Sequence, residues 1–207
     1  MGDHNLLFYN MGVYFKRGKK YAEEKEMATK DFDWISEMCR QEVLDPKRVK
    51  NSGEYLLGSY FKARRSRRFN TSNIISTVKD VPAEKRKIRR EYLLLIKGAT
   101  KKDHKEFVWE ALSVSWIDEK IQMIIEEIAG YEDVGELYKT ILVETYLNEK
   151  PLKGDALYRA CGVGRSAYFS RRSEACTLFG ILTYRYAKRR EDEDVATGLI
   201  DATTRLA

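Results

Sequence analysis

The sequence predicts a mainly α-helical protein. Only three of its 207 residues are proline, at Pro46, Pro82 and Pro151, so long stretches lack the residue that most strongly interrupts helices. Runs in which polar and apolar residues alternate, as they do in strands, are scarce. Apolar residues recur instead three and four positions apart, most clearly among the isoleucines between positions 117 and 128. These observations favour helices, with the prolines marking breaks between them.

Two helices are predicted in the first 70 residues. Residues 31–44 carry apolar side chains at helical spacing, Asp31 or Asp33 can cap the start, and Asp45-Pro46 ends the helix. Residues 55–69 start with an apolar stretch and continue into a segment in which two phenylalanines bracket five basic residues. The apolar run at 74–78 fits either a short strand or a helical turn.

Two further helices are predicted before residue 130. Residues 83–97 form a helix with a very basic first half, which ends at Gly98. Residues 103–128 contain a stripe of isoleucines, and Trp109 and Trp116 lie seven positions apart, as on one helical face. This stripe predicts a buried core helix, which Gly130 ends.

The last third of the chain has a three-part pattern. A helix over 136–147 is followed by a loop at 148–152 and a short helix over 154–160. Residues 161–164, Cys-Gly-Val-Gly, form a tight turn, and a long helix runs from Arg165 to about Lys188. A short helix, a glycine turn and a longer helix with a basic start are typical of a helix-turn-helix.

Charge is unevenly distributed along the chain. The net charge is +6 overall, but residues 60–110 carry +9 and residues 151–190 carry +7. Between them, residues 111–150 carry −6, and residues 191–207 form an acidic tail of −4. This asymmetry indicates a surface that binds a polyanion, although runs of charge also occur on ordinary solvated helix faces.

Several classes of protein are excluded or disfavoured. No apolar run reaches the roughly 20 residues needed to span a bilayer, and no signal segment opens the chain, so we expect a cytoplasmic protein without a membrane partner. Three scattered cysteines and two histidines predict neither a disulfide framework nor a metal site. No nucleotide-binding or catalytic motif occurs, so we expect no cofactor and no enzymatic activity.

Residues 156–175, Ala-Leu-Tyr-Arg-Ala-Cys-Gly-Val-Gly-Arg-Ser-Ala-Tyr-Phe-Ser-Arg-Arg-Ser-Glu-Ala, resemble a known motif. They are similar to the sigma-factor region-4-like helix-turn-helix of phage late-gene regulators of the ArpU/RinA type. Tyr168 and Phe169 match the aromatic pair of that family, and Gly164 stands where it usually has a Ser or Thr cap. Arg171 stands where relatives usually carry an apolar residue. The resemblance covers the last third of the chain and implies a recognition helix, 165–180, in a major groove of DNA.

The resemblance also implies roles for individual residues. Base-reading positions fall on Arg165, Ser166, Phe169 and Ser170. Phosphate contacts are expected from Lys153, Arg159, Arg171 and Arg172. Outside the resemblance, the N-terminal cluster Arg64, Arg65, Arg67 and Arg68 is expected to add a contact to the DNA backbone or minor groove, or a dimer interface.

Helix geometry makes a further prediction for the recognition helix. At 100° per residue, Tyr168, Ala175, Phe179 and Leu182 form its buried stripe, and Arg171 snorkels from the edge of that stripe. The opposite line holds small hydroxyl residues that allow close approach to bases, namely Ser166, Ser170, Ser173 and Thr177.

We therefore predict a helical N-terminal region of unassigned family at 1–130, a sigma-region-4-like helix-turn-helix at 131–190 and an acidic tail at 191–207. The predicted function is sequence-specific binding of double-stranded DNA by a transcription regulator of phage or mobile-element type, as a possible homodimer. One alternative is a helical adaptor that binds a protein such as RNA polymerase through the acidic 111–150 block. Another is a DNA-packaging or replication component, such as a small terminase subunit.

Overall fold

The computed structural model describes residues 34–70, 82–98 and 115–206, and within these ranges the regular structure is entirely helical. The prediction of a mainly α protein is therefore confirmed for this part of the chain. No helix in these ranges is both long enough and apolar enough to cross a membrane. The ambiguous segment 74–78, the predicted helical residues 103–114 and Trp109 lie outside the described residues.

The first helices follow the predicted pattern with shifted ends. Asp45 and Pro46 separate α1 from α2, but Pro46 occupies the first position of α2, where its missing N–H needs no partner. The Asp45 carboxylate caps α2 by accepting a hydrogen bond from the Arg48 N–H at 3.1 Å. Gly98 ends α3 with a φ of 86°, in the left-handed region that favours glycine. The helices are α1 (34–41), α2 (Pro46–Asn70), α3 (Pro82–Lys97) and α4 (Ser115–Ala129).

The second half of the chain contains α5 (Gly135–Leu142), which continues as one π-helical turn (Val143–Leu147), then α6 (Asp155–Ala160) and α7 (Arg165–Ala196). A 3₁₀ turn (Ala202–Thr204) follows. Helix α7 passes the predicted end at about Lys188 and includes the acidic residues 191–194 of the predicted tail. Its acidic residues are held in place, because the Asp194 carboxylate pairs with the Arg89 guanidinium at 2.7 Å and a Glu191 oxygen accepts the Leu206 N–H at 3.1 Å.

Helix α7 is the central helix of the fold and packs against α2, α3, α4, α5 and α6. Its middle supplies Phe179 and Ile181 to the main core, where they join Leu57 of α2, Ile125 of α4 and Tyr138 of α5. The predicted isoleucine stripe is buried here from Ile117 to Ile128. Residues on both sides of the boundary predicted at residue 130 thus share one core. Cys39 and Cys176 lie in this core as free thiols.

Candidate nucleic-acid interface

A second, smaller core holds the first turns of α7. It consists of Ile141 from α5, Leu157 from α6, Cys161 from the intervening turn and Tyr168 from α7. The Tyr168 hydroxyl lies 2.7 Å from the Thr145 hydroxyl in the π-helical turn, and burial raises the pKa of Tyr168. Three successive elements therefore fix the direction in which α7 leaves the turn.

The start of α7 exposes the predicted base-reading positions. Arg165, Ser166 and Ser170 are exposed, and the Phe169 side chain is 48% exposed although it is aromatic. Tyr168, between them, is buried in the small core, with Ser166 and Ser170 on the opposite side of the helix and Arg165 and Phe169 on its flank. The structure thus brings all four predicted residues to one exposed helical surface.

The N-terminus of α7 is also electropositive. Gly164 precedes the helix in an extended conformation and offers no side-chain acceptor to the first backbone N–H groups. The first turn contains no acidic residue that would offset the helix dipole, and Arg165 adds a full positive charge there. An anion that approaches this end meets unpaired N–H donors and a guanidinium.

Phe169 is held by two neighbouring tyrosines. Its ring centroid lies 5.4 Å from that of Tyr168 and 6.2 Å from that of Tyr158, both in edge-to-face geometry. Tyr158 and Tyr168 are themselves 5.1 Å apart. Contacts of this kind fix a partly exposed ring in one orientation, so Phe169 presents a rigid apolar surface to the solvent.

The predicted phosphate-contacting residues fall into two groups. Lys153 and Arg159 are exposed, and neither has an ion-pair partner among the described residues. Arg64, by contrast, is half-buried and donates a hydrogen bond to the Leu147 carbonyl at 3.0 Å. The side chains of the other three predicted N-terminal arginines, Arg65, Arg67 and Arg68, lie outside the described residues.

Arg171 belongs to the interior. It is only 8% exposed, and its guanidinium donates to a Glu174 oxygen at 3.0 Å. The expected snorkelling to solvent is therefore replaced by a buried ion pair, because a carboxylate one turn further along α7 satisfies the charge within the fold. We leave Arg171 out of the candidate interface.

Arg172 is tied to two other elements. Its guanidinium donates to the Tyr146 hydroxyl at 2.6 and 3.0 Å, and it lies 3.6 Å from the Glu54 carboxylate of α2. The side chain is 29% exposed. Arg172 thus links α2, the π-helical turn and α7, and its contribution to an anion site is secondary to this connection.

The remaining predictions for α7 concern its buried stripe and the opposite line of small hydroxyl residues. The predicted stripe Tyr168, Ala175, Phe179 and Leu182 is confirmed as buried. On the opposite line, Ser166 and Ser170 are exposed and Ser173 is half-buried, but Thr177 is 1% exposed. The prediction for Thr177 is wrong because residues 174–182 are all buried and α2 closely approaches α7 at Cys176 and Gly180.

Sequence reasoning missed a buried polar network beside this surface. Glu174 is 2% exposed and accepts hydrogen bonds from the Tyr138 hydroxyl at 2.8 Å and from Arg171 at 3.0 Å through one oxygen. Its other oxygen accepts the Ser170 hydroxyl at 3.1 Å. A lone acidic residue in an otherwise apolar and basic stretch was the available signal, since Glu174 is the only acid between positions 156 and 190.

The described part of the chain offers no group of three or more ligating side chains that could hold a metal ion. The arrangement at the start of α7 is therefore a set of hydrogen-bond donors, cations and one rigid aromatic ring on a convex helix end. The sequence matches no protein-family model and no curated protein, and the structure matches no solved structure.

Proposed function

We propose that the protein is a transcription regulator that binds double-stranded DNA sequence-specifically, with α6, residues 161–164 and the first turns of α7 acting as a helix-turn-helix. One observation carries the proposal: Arg165, Ser166, Phe169 and Ser170 share an exposed surface on a helix whose opposite side is fixed in a core. A helix used for base reading must be rigid and must present side chains outward.

The chemistry of these four side chains suits the major groove. Arg165 can donate two parallel hydrogen bonds to the O6 and N7 atoms of guanine. The Phe169 ring can pack on the methyl group of thymine. Ser166 and Ser170 are small enough to let the helix approach closely, and their hydroxyls donate or accept hydrogen bonds.

Lys153 and Arg159 are placed to contact the DNA backbone. Both are exposed and lie in or just before α6, on the chain leading into the recognition segment. In this arrangement their charges position the helix on the duplex without specifying sequence, and they make affinity depend on salt. The resemblance to phage late-gene regulators supports the same assignment.

The test is fluorescence anisotropy with labelled duplex fragments of the surrounding genome, measured at two salt concentrations. We expect one fragment to bind tightly and with a steep salt dependence. Arg165→Ala should weaken binding to that fragment at least about tenfold, because a bidentate contact to a base is lost. Lys47→Ala, at an exposed position on α2, is the matched control and should leave affinity unchanged.

The outcomes distinguish an error in the assigned reading surface from an error in the proposed function. If Arg165→Ala and Phe169→Ala both bind the selected fragment like the native chain, the start of α7 is not the reading surface. If no fragment binds even at low salt, where phosphate contacts are strongest, DNA binding itself is contradicted.

A second candidate is a protein-binding adaptor, and the surface of α4 favours it. Met123 is 37% exposed there, and Glu119, Glu126 and Glu127 are exposed around it. An apolar residue within an acidic surface suits a basic protein partner such as RNA polymerase. A pull-down with polymerase after nuclease treatment tests this candidate, since a complex held together only by DNA is lost.

A further inference from the structure

A basic groove lies toward the other end of α7, where it meets α3 and α4. Its volume is about 590 Å³, within the range of small-ligand sites. Five of its lining side chains are cationic, two are carboxylates and one is a tyrosine. They are Lys85, Arg89, Glu119, Lys120, Tyr186, Arg189, Arg190 and Glu193.

Helix geometry places the basic residues of the run 185–190 on two faces of α7, which make different contacts. Arg185 and Lys188, three positions apart, both bind the Glu42 carboxylate, at 3.2 and 2.7 Å. Tyr186 and Arg189 are also three positions apart, but they lie on a different face and line the basic groove. The positive charges of this run are therefore split between ion pairs with Glu42 and the basic groove.

The lining of the basic groove carries five cations and two carboxylates. Arg89 is fixed by its ion pair with Asp194, and Lys120 lies 2.8 Å from its neighbour Glu119. Arg190 pairs with Glu193. Arg189 is exposed and has no hydrogen-bond or ion-pair partner among the described residues. The groove thus keeps a positive excess around an unpaired guanidinium, which an anion would offset.

We propose that the basic groove binds a multivalent phosphate-bearing anion. Arginine and lysine together suit phosphate oxygens, the first through its planar fork of donors and the second as a point charge. The Tyr186 hydroxyl adds a neutral donor on the same helical face as Arg189. Ion pairs hold Arg89 and Arg190 in place, so part of the groove is arranged before a ligand arrives.

This site is distinct from the proposed DNA-reading surface. Arg189 follows Arg165 by 24 positions on one helix, which corresponds to about 36 Å along the axis. The two sites can therefore fail independently in an experiment.

The test is isothermal titration calorimetry of the full chain at low salt, with inorganic tripolyphosphate as the first probe and a duplex oligonucleotide as the second. The variant is Lys120→Ala/Arg189→Ala, which changes two partly or fully exposed side chains and leaves the Arg89 and Arg190 ion pairs intact. The control is Lys47→Ala, and Arg165→Ala is titrated with the duplex only. Circular dichroism of each variant checks that the helices are retained.

We expect the double variant to bind tripolyphosphate at least about tenfold more weakly, while Lys47→Ala binds it like the native chain. If tripolyphosphate does not bind but the duplex binds more weakly to the double variant than to the native chain, the phosphate groups come from a nucleic-acid backbone and the proposal holds. If neither probe distinguishes the double variant from the native chain, the proposal is overturned. The Arg165→Ala arm reports separately on the proposed function.

Discussion

The two parts of helix α7 differ in what surrounds them. Residues 165–170 bury Tyr168 in the small core and expose Arg165, Ser166, Phe169 and Ser170. Residues 174–182 are buried without exception, with helices packed around them. One continuous helix therefore provides both a candidate reading surface and the centre of the fold. Because the central part is fixed, the exposed part is held rigidly without requiring a large core of its own.

Two phenylalanines of α7 test the difference between its exposed part and its buried part most directly. Phe179 is fully buried, and Phe169, ten positions earlier, is 48% exposed. We expect Phe179→Ala to lower the free energy of unfolding by about 3–5 kcal/mol, because it leaves a cavity in the main core. Phe169→Ala should cost about 1 kcal/mol, from the lost contacts with Tyr158 and Tyr168. Urea unfolding measures both, and equal losses would contradict the division of α7 into two parts.

The next prediction concerns the junction of the two parts, at Glu174. Glu174→Ala leaves the Arg171 charge and the Tyr138 hydroxyl in the interior without this acceptor, and we expect a loss of about 3 kcal/mol. Glu174→Gln keeps an oxygen acceptor of the same shape and should cost less than the alanine variant. Chemical denaturation of both variants checks this order, and a loss below about 1 kcal/mol for Glu174→Ala would show that the network does not join the two parts.

The helices and their buried stripes could be predicted from the sequence better than the packing of other helices around them. The isoleucine stripe and the buried stripe of α7 follow from spacing alone, because one side of each helix must be apolar. Spacing could not show that all of residues 174–182, Thr177 included, are buried, since that depends on how the other helices pack around α7. It also could not distinguish the buried Arg171 from the exposed Arg165, because Glu174 lies one turn further along the same helix but only the tertiary fold adds Tyr138 and buries the pair.

The close approach of α2 and α7 is a third feature that spacing does not reveal. A Cβ added at Gly180 would lie 2.6 Å from the Val49 carbonyl oxygen, and one added at Gly53 would lie 2.4 Å from the Cys176 carbonyl oxygen. Each helix thus places a glycine against the backbone of the other. The Gly180 carbonyl also accepts the Tyr92 hydroxyl at 3.0 Å, so α3 depends on the same position.

The last expected stability effect follows from this contact. Gly180→Ala should lower the free energy of unfolding by about 1–3 kcal/mol, because the backbones must separate to admit the methyl group. Gly58→Ala is the matched control, since a Cβ there meets nothing within 4 Å, and it should raise stability by about 0.5–1 kcal/mol through a better helix former. A Gly180→Ala variant as stable as the native chain would mean that α7 can shift relative to α2. In that case the central part of α7 would not hold the exposed part rigidly, and the argument for a preformed reading surface would lose its support.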